Sequence, residues 1–207
     1  MTQEKIIQQI EKHKNNLPAW DAHSKMMPPH RGLFNEQEIF ERKPRNAAVL
    51  ILMYLKGSSV YFPLLERHEY DGNHSSEIGL PGGKKEDFDA DFEATAIRET
   101  EEEIGISKES ISTIFSLSRL YIPPSNFLVY PFVGIFENEI NYKLDTREVK
   151  ELIEIPLQDF LHTTEIIEYN FQRKEMQYTV PAYYIQNKIV WGATAMILTE
   201  LKDILLK

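Results

Sequence analysis

Apolar residues recur along the chain with two different periods, and the changes between them divide it into elements. Residues 2 to 14 place Ile6, Ile7 and Ile10 on one face of a predicted amphipathic helix. Residues 17 to 46 hold four prolines and no sustained period, which predicts an irregular wrap onto the rest of the molecule. Two strand-like runs, 47 to 55 and 59 to 66, flank the hairpin-type connection KGS. The stretch EYDGNHSSEIGLPGGKKED reads as a long glycine-rich loop leading into a helix from Asp91 to Ile104, with Gly105 as its C-cap. Strands are expected near 113 to 121 and 127 to 136 around the turn PPSN, and helical or mixed pieces near 146 to 161. A strand pair over 166 to 171 and 176 to 185 and a closing helix over 191 to 206 complete the pattern. Helices and strands without strict alternation imply an α+β or mixed α/β sandwich. The division expected is a helical extension over 1 to 44, packed on a core domain over 45 to 207.

The predicted helix ends in RETEEEIG, where four carboxylates fall within five positions. At about 100° per residue, Glu99, Glu102 and Glu103 stand on one face, with Ile97 and Ile104 expected on the opposite, buried side. Charge runs are usually solvated faces. Here, however, Glu102 and Glu103 sit in the last turn, where the helix dipole disfavours negative charge. Arg98 is the one cation between Lys85 and Lys108. A hard divalent cation with oxygen ligands would relieve both problems, so a solvated acidic face and a cation site both stand. One helix length earlier, LPGG supplies adjacent glycines, where a backbone can approach a ligand closely or merely turn.

Composition narrows the classes. The formal net charge of -9 argues against a general nucleic-acid binder, which needs a basic footprint, but a bound cation can reverse the sign locally for a small phosphorylated substrate. The chain has no cysteine, which removes disulfides, thiolate metal sites and a cysteine nucleophile and fits a reducing, cytoplasmic setting. The first sixteen residues lack the apolar run of a secretory signal. The longest apolar run, AAVLILMYL, is far short of the ~20 residues of a membrane span, so no membrane partner is expected.

Gly83 to Ile106, GKKEDFDADFEATAIRETEEEIGI, resembles the Nudix box, G-x5-E-x7-R-E-U-x-E-E-x-G-U with U a bulky aliphatic. Gly83, Arg98, Glu99, Glu102, Glu103, Gly105 and Ile106 fit. The interval from Gly83 to Arg98 is one residue longer than the pattern, Asp89 stands for the early Glu, and Thr100 stands where an aliphatic is usual. The longer interval and the aspartate resemble the coenzyme A pyrophosphatase branch. That branch's upstream motif is matched by PLLERHEYDGNHSSEIGLPGG, which keeps Arg67, His74, Pro81, Gly82 and Gly83 in register but lacks its second arginine. LYIPPSNFLVYPFVG, EVKELIEIPLQDFL and VWGATAMIL also look like this branch.

The resemblance implies a Nudix fold, a mixed β-sheet sandwiched between helices. It also implies a Mg²⁺- or Mn²⁺-dependent hydrolase of nucleoside diphosphate-linked substrates. Glu99, Glu102 and Glu103 would be catalytic metal ligands, helped by the carbonyl of Gly82, and Arg98 would orient Glu99 by an ion pair. Arg67, His74, Gly83 and Lys84 would meet the substrate, against plainer readings of His74 as a turn residue and Lys84 as surface. Glu148, Glu165 and Glu168 are candidates for a general base from a later loop. Trp191 reads as core, while Tyr121, Phe127 and Tyr130 are candidate pocket aromatics. The implied substrate is coenzyme A or an acyl derivative, cleaved to 4′-phosphopantetheine and adenosine 3′,5′-bisphosphate. Its alternatives are ADP-ribose, a dinucleotide or a nucleoside triphosphate, or a non-catalytic ligand-binding module. Dimerisation is common among such proteins, so a homodimer is a partner state to test.

Overall fold

The computed structural model describes residues 1 to 29, 31 to 68, 78 to 163, 165 to 173 and 176 to 207. In chain order the elements are helices α1 (Gln3–His13), α2 (Ala19–His23) and α3 (Glu36–Glu41), then strands β1 (Arg45–Lys56), β2 (Ser59–Arg67), β3 (Ile78–Gly79) and β4 (Gly82–Lys84). Helix α4 (Phe92–Ile104) leads to β5 (Ile111–Ser116), β6 (Leu120–Ile122), β7 (Phe127–Phe136) and β8 (Val149–Pro156). Helix α5 (Leu157–His162), strands β9 (Ile167–Arg173), β10 (Met176–Ile185) and β11 (Lys188–Trp191), and α6 (Gly192–Leu206) close the chain.

Strand β1 is the hub because its side chains are apolar on both faces. Ala48, Leu50, Leu52 and Tyr54 join one core with Ala96 and Ile104 of α4. Ala47, Ile51 and Met53 join the other, with Ile6 and Ile10 of α1, Phe160 of α5 and Leu198, Leu201 and Ile204 of α6. The result is a mixed sheet sandwiched between helices, as the pattern predicts and as the resemblance implies. Parallel pairing of β1 with β7 sets the centre; the sheet's other pairings are antiparallel. A second, three-stranded sheet runs β11-β10-β9.

Strands β1 and β2 pair only near their hairpin, from Tyr54↔Tyr61 to Lys56↔Ser59, and then splay. The segment from Ile78 to Lys84 fills the wedge: Ile78 and Gly79 pair with β2, while Gly82, Gly83 and Lys84 pair with β1. Leu50 N–H donates to the Pro81 carbonyl at 2.9 Å, tying the crossing between them. Residues 78 to 84 of the glycine-rich stretch are therefore threaded into the sheet rather than left as a surface loop, and residues 69 to 77 of it lie outside the described residues.

Several expectations need correction. In α1, Ile6 and Ile10 are buried but Ile7 is 38% exposed, because the helix turns only a narrow stripe inward. Residues 149 to 156 are a strand rather than helical, although rich in Glu and Lys. Their charges pair laterally, Lys150 with Glu66 and Glu154 with Tyr54 and Lys56, while Val149, Ile153 and Ile155 face inward. The run expected over 113 to 121 breaks into β5 and β6. At the break, Ser118 N–H and Oγ turn toward Glu200 of α6 at 3.1 and 2.6 Å. The same buried carboxylate accepts from Ala19 N–H at 3.1 Å and meets His23 Nε2 at 3.1 Å, which anchors the N-terminal segment. No helix among the described residues is long and apolar enough to cross a membrane.

Candidate active site

Two glycines and one helix build the site. Gly82 has φ +147°, and a Cβ there would lie 2.3 Å from the Ala48 carbonyl oxygen, so a side chain is excluded sterically. At Gly83 a Cβ would lie 2.4 Å from Glu99 Oε2, so the missing side chain lets the Glu99 carboxylate lie on the strand. Helix α4 starts at Asp91, whose carboxylate accepts from Ala94 N–H at 2.7 Å. It stops at Gly105, left-handed at φ +73°, whose N–H donates to the Glu101 carbonyl. These ends fix the angular placement of residues 98 to 103.

The three carboxylates are not a patch opposite the buried side, as helical spacing alone implied. Ala96, Thr100, Glu103 and Ile104 form the buried stripe, and Ile97 is only half-buried. Glu103 is 1% exposed, whereas the side chains of Glu99 and Glu102 are 15% and 57% exposed, so the set is graded from core to solvent. Thr100 packs like the usual aliphatic because its hydroxyl donates to the Ala96 carbonyl at 2.7 Å, which satisfies it within the helix.

Arginines hold the set. Arg98 grips Asp89 in a bidentate pair at 2.8 and 3.0 Å and reaches Glu99 at 2.8 Å, Glu102 at 2.9 Å and the Lys84 carbonyl at 3.2 Å. The longer interval after Gly83 thus still delivers an acid to Arg98. Its hydrogen bonds hold the Asp89 carboxyl well below the usual carboxylate range against the opposing effect of burial, with help from Glu86 N–H and the Thr95 hydroxyl. Burial raises the Glu99 carboxyl, although Arg98 partly offsets it. Burial pushes the Glu103 carboxyl up to about 7, with Arg67 and the Gly82 N–H opposing.

Glu103 Oε2 accepts from Gly82 N–H at 2.9 Å. Its Oε1 lies 2.6 Å from Arg67 Nη2 without the alignment of a hydrogen bond, so a buried, ion-paired oxygen keeps lone pairs that no hydrogen-bond donor meets. Arg67 Nη2 also donates to the Gly82 carbonyl at 2.9 Å. Arg67 therefore braces the carboxylate and carbonyl from within the site. Among the described residues no three carboxylates or imidazoles converge as a finished coordination group, because Arg67 and Arg98 lie between them. The donor chemistry nevertheless fits a hard cation: carboxylates, one carbonyl, and an orphaned buried oxygen on Glu103.

A cleft of about 1120 Å³ opens beside this cluster. Arg67, Gly82, Gly83, Lys84 and Glu99 line it, and so does Glu148. Glu148 is near enough to Glu99 to disfavour its ionisation. Glu165 and Glu168 are exposed and do not line the cleft. His74 lies outside the described residues. Trp191 is not core, contrary to expectation: it is half-buried in the cleft wall, its ring 4.6 Å from that of Phe171, which in turn lies 5.4 Å from Tyr178. Of the other pocket aromatics, Phe127 lines the cleft, Tyr121 is buried against Phe34, and Tyr130 stacks on Phe92 at 3.7 Å. Arg31, from the N-terminal segment, also lines the cleft. Sequence reasoning missed it, since a lone arginine in a proline-rich wrap carries no periodicity or motif.

Residues 43 to 177 match the NUDIX domain family. The Nudix hydrolase NudL of Photorhabdus laumondii, described as uncharacterized, is 29% identical over 157 residues, covering 76% of this chain and 83% of that protein. Its counterpart in Yersinia pestis is 28% identical over 175 residues, covering 84% and 87%. A solved structure of a C. elegans Ap4A hydrolase binary complex aligns with a TM-score of 0.46 and 23% identity, over 56% of this chain and 82% of that one. By its domain match over well over half its length, the chain belongs to the Nudix hydrolase family, enzymes that act on pyrophosphate bonds.

Proposed function

We propose that this hydrolase cleaves the pyrophosphate bond of coenzyme A or an acyl-CoA, with Mg²⁺ or Mn²⁺, to 4′-phosphopantetheine and adenosine 3′,5′-bisphosphate. One observation carries the substrate reading. The separate stretches that resemble the coenzyme A branch meet in a single cleft: Leu80, Gly82 and Gly83, Ile122 to Pro124 with Phe127, Glu148, and Trp191 to Thr194. Its volume and largely apolar walls suit a nucleotide with a long, uncharged arm.

Glu99, Glu102, Glu103 and the Gly82 carbonyl would hold the cation. When bound, the cation neutralises the diphosphate and acidifies the attacking water. Arg98 keeps Glu99 aimed and must release Glu102, whose exposed side chain is free to rotate. The Gly82–Gly83 backbone, bare of side chains, lets β1 and the Glu99 carboxylate close on the strand beside which the diphosphate would lie. Lys84 adds positive charge at its rim, where it also faces Glu86 at 3.4 Å. Glu148 takes the proton from water as the water oxygen bonds to phosphorus and the bridging P–O bond breaks, with the electron pair leaving on the departing phosphate.

The test is a panel of coenzyme A, acetyl-CoA, ADP-ribose, a dinucleoside polyphosphate and ATP with each metal, products being separated by chromatography. Coenzyme A or acetyl-CoA is expected to give the highest kcat/KM. Much faster cleavage of ADP-ribose overturns the branch assignment, and tight binding without turnover overturns the catalytic one.

A further inference from the structure

We propose that Arg31 forms a second anion subsite in the cleft, one that takes a phosphomonoester carried by the substrate apart from its scissile diphosphate. The proposal rests on the pyrophosphatase reading above and adds to it a residue that selects among diphosphate substrates.

Arg31 lies in the cleft wall formed by Pro28, Pro29 and Gly32, beside Ile122 and Ala193. One arm of its guanidinium donates to the Tyr121 carbonyl, and the other lies 2.9 Å from the Met196 sulfur. Among the described residues no carboxylate pairs with it. Other arginines near the cleft and on the surface do find acids: Arg67 meets Glu103, Arg98 meets Asp89 and Glu99, Arg119 meets Glu36, and Arg147 meets Asp145. A half-buried cation is ordinarily compensated by an opposite charge. A carbonyl and a thioether return little of the hydration that it gives up. Burial accordingly lowers the Arg31 guanidinium to about 10, offset only in part by Tyr121. The cleft wall thus retains a desolvated cation that no acid among the described residues neutralises.

Topology sets Arg31 apart from the glycines where the proposed reading puts the diphosphate. Gly82 and Gly83 belong to β4, which pairs with β1; β1 pairs with β7, and β7 with β6, which carries Tyr121. Three strand spacings separate them, about 14 Å. With contact distances removed at each end, the remaining gap is of the order spanned by one nucleoside between a 5′ and a 3′ phosphate. The wall beside Arg31 continues into the first turn of α6, whose N-cap Trp191 provides no side-chain cap, so the helix end adds favourable potential for an anion. The guanidinium carries the site, and the helix end reinforces it. An arginine fork suits a phosphate geometrically.

The experiment compares coenzyme A with dephospho-coenzyme A, which differ only in the 3′-phosphate, using wild type, Arg31→Gln and Arg31→Lys with saturating Mg²⁺. Wild type should prefer coenzyme A in kcat/KM by about 10- to 100-fold. Arg31→Gln should collapse that ratio toward one, mainly through KM, and Arg31→Lys should keep part of it. Equal losses on both substrates, or no wild-type preference, overturn the proposal and leave Arg31 a packing residue. A second readout does not depend on turnover: calorimetric binding of adenosine 3′,5′-bisphosphate against AMP. If wild type cleaves neither coenzyme, the substrate reading fails. The anion subsite then stands on a bisphosphate preference that Arg31→Gln removes, and falls if none is seen. Thermal unfolding of each variant guards against misfolding.

Discussion

As a proposed cation ligand, Glu103 would have to carry charge in a place that resists it. It is 1% exposed, and its carboxyl rises to about 7 in spite of Arg67 and the Gly82 N–H. An ordinary glutamate titrates near ~4.3, so between these values the folded state binds more protons than the unfolded one. Glu103 therefore favours folding most below about pH 4, and that contribution is lost as pH rises toward 7. In metal-free protein the unfolding midpoint should fall between pH 5 and 7.5, and Glu103→Gln should flatten that fall, as read by thermal melts in chelator. The same substitution, and Glu102→Gln separately, should cut Mg²⁺-dependent turnover by about 100-fold or more with native circular dichroism. Near-normal activity in both would sink the assignment of these carboxylates. At Gly83 the constraint is steric. Gly83→Ala places a methyl against the Glu99 carboxylate and should impair metal binding, measured calorimetrically, far more than it lowers stability.

Between elements, the tie that matters most is Glu200. Burial opposes its ionisation, but hydrogen bonds from His23 and Ser118 outweigh this and hold the carboxyl below its usual value. Glu200 on α6 thereby joins α2 to the break between β5 and β6. Glu200→Gln keeps the shape but loses charge-assisted bonds, and should cost about 1–3 kcal/mol of stability by chemical denaturation. Limited proteolysis of that variant should cut faster within residues 14 to 44. This tie also shows what the chain's pattern could and could not disclose. Long periodic elements such as α1, β1, β7 and α6 were legible because burial repeats along them. Strand β8 was not, because Lys150, Glu151 and Glu154 find partners across strands that no local window contains. Strand β11 is four residues long and depends on Gln186 and Asn187 turning left-handed, at φ 49° and 62°. In the site, the box residues were legible from spacing. The burial of Glu103, the bracing role of Arg67 and the presence of Arg31 depend on which distant segments come to face them.

As a whole, the molecule carries a formal charge of -9, yet it turns Arg31, Arg67 and Lys84 toward one cleft. A cation held by Glu99 and Glu103, as proposed, would bind the folded chain and not the unfolded one, so Mg²⁺ at 100 times its dissociation constant should add about 2.7 kcal/mol of stability. That shift should appear in thermal melts of wild type, reverse with chelator and vanish in a Glu99→Gln, Glu103→Gln double variant. The wedge between β1 and β2 has a further consequence, one of timescale. Gly82 N–H ends on a buried carboxylate and Leu50 N–H on the Pro81 carbonyl, so neither can meet solvent while the sheet stays closed. Their deuterium uptake should follow global opening, over hours rather than seconds, and lag far behind that of the Gly32 and Leu33 amides. The cradle would then behave as a rigid anvil, leaving entry and departure of the ligand to the peripheral walls.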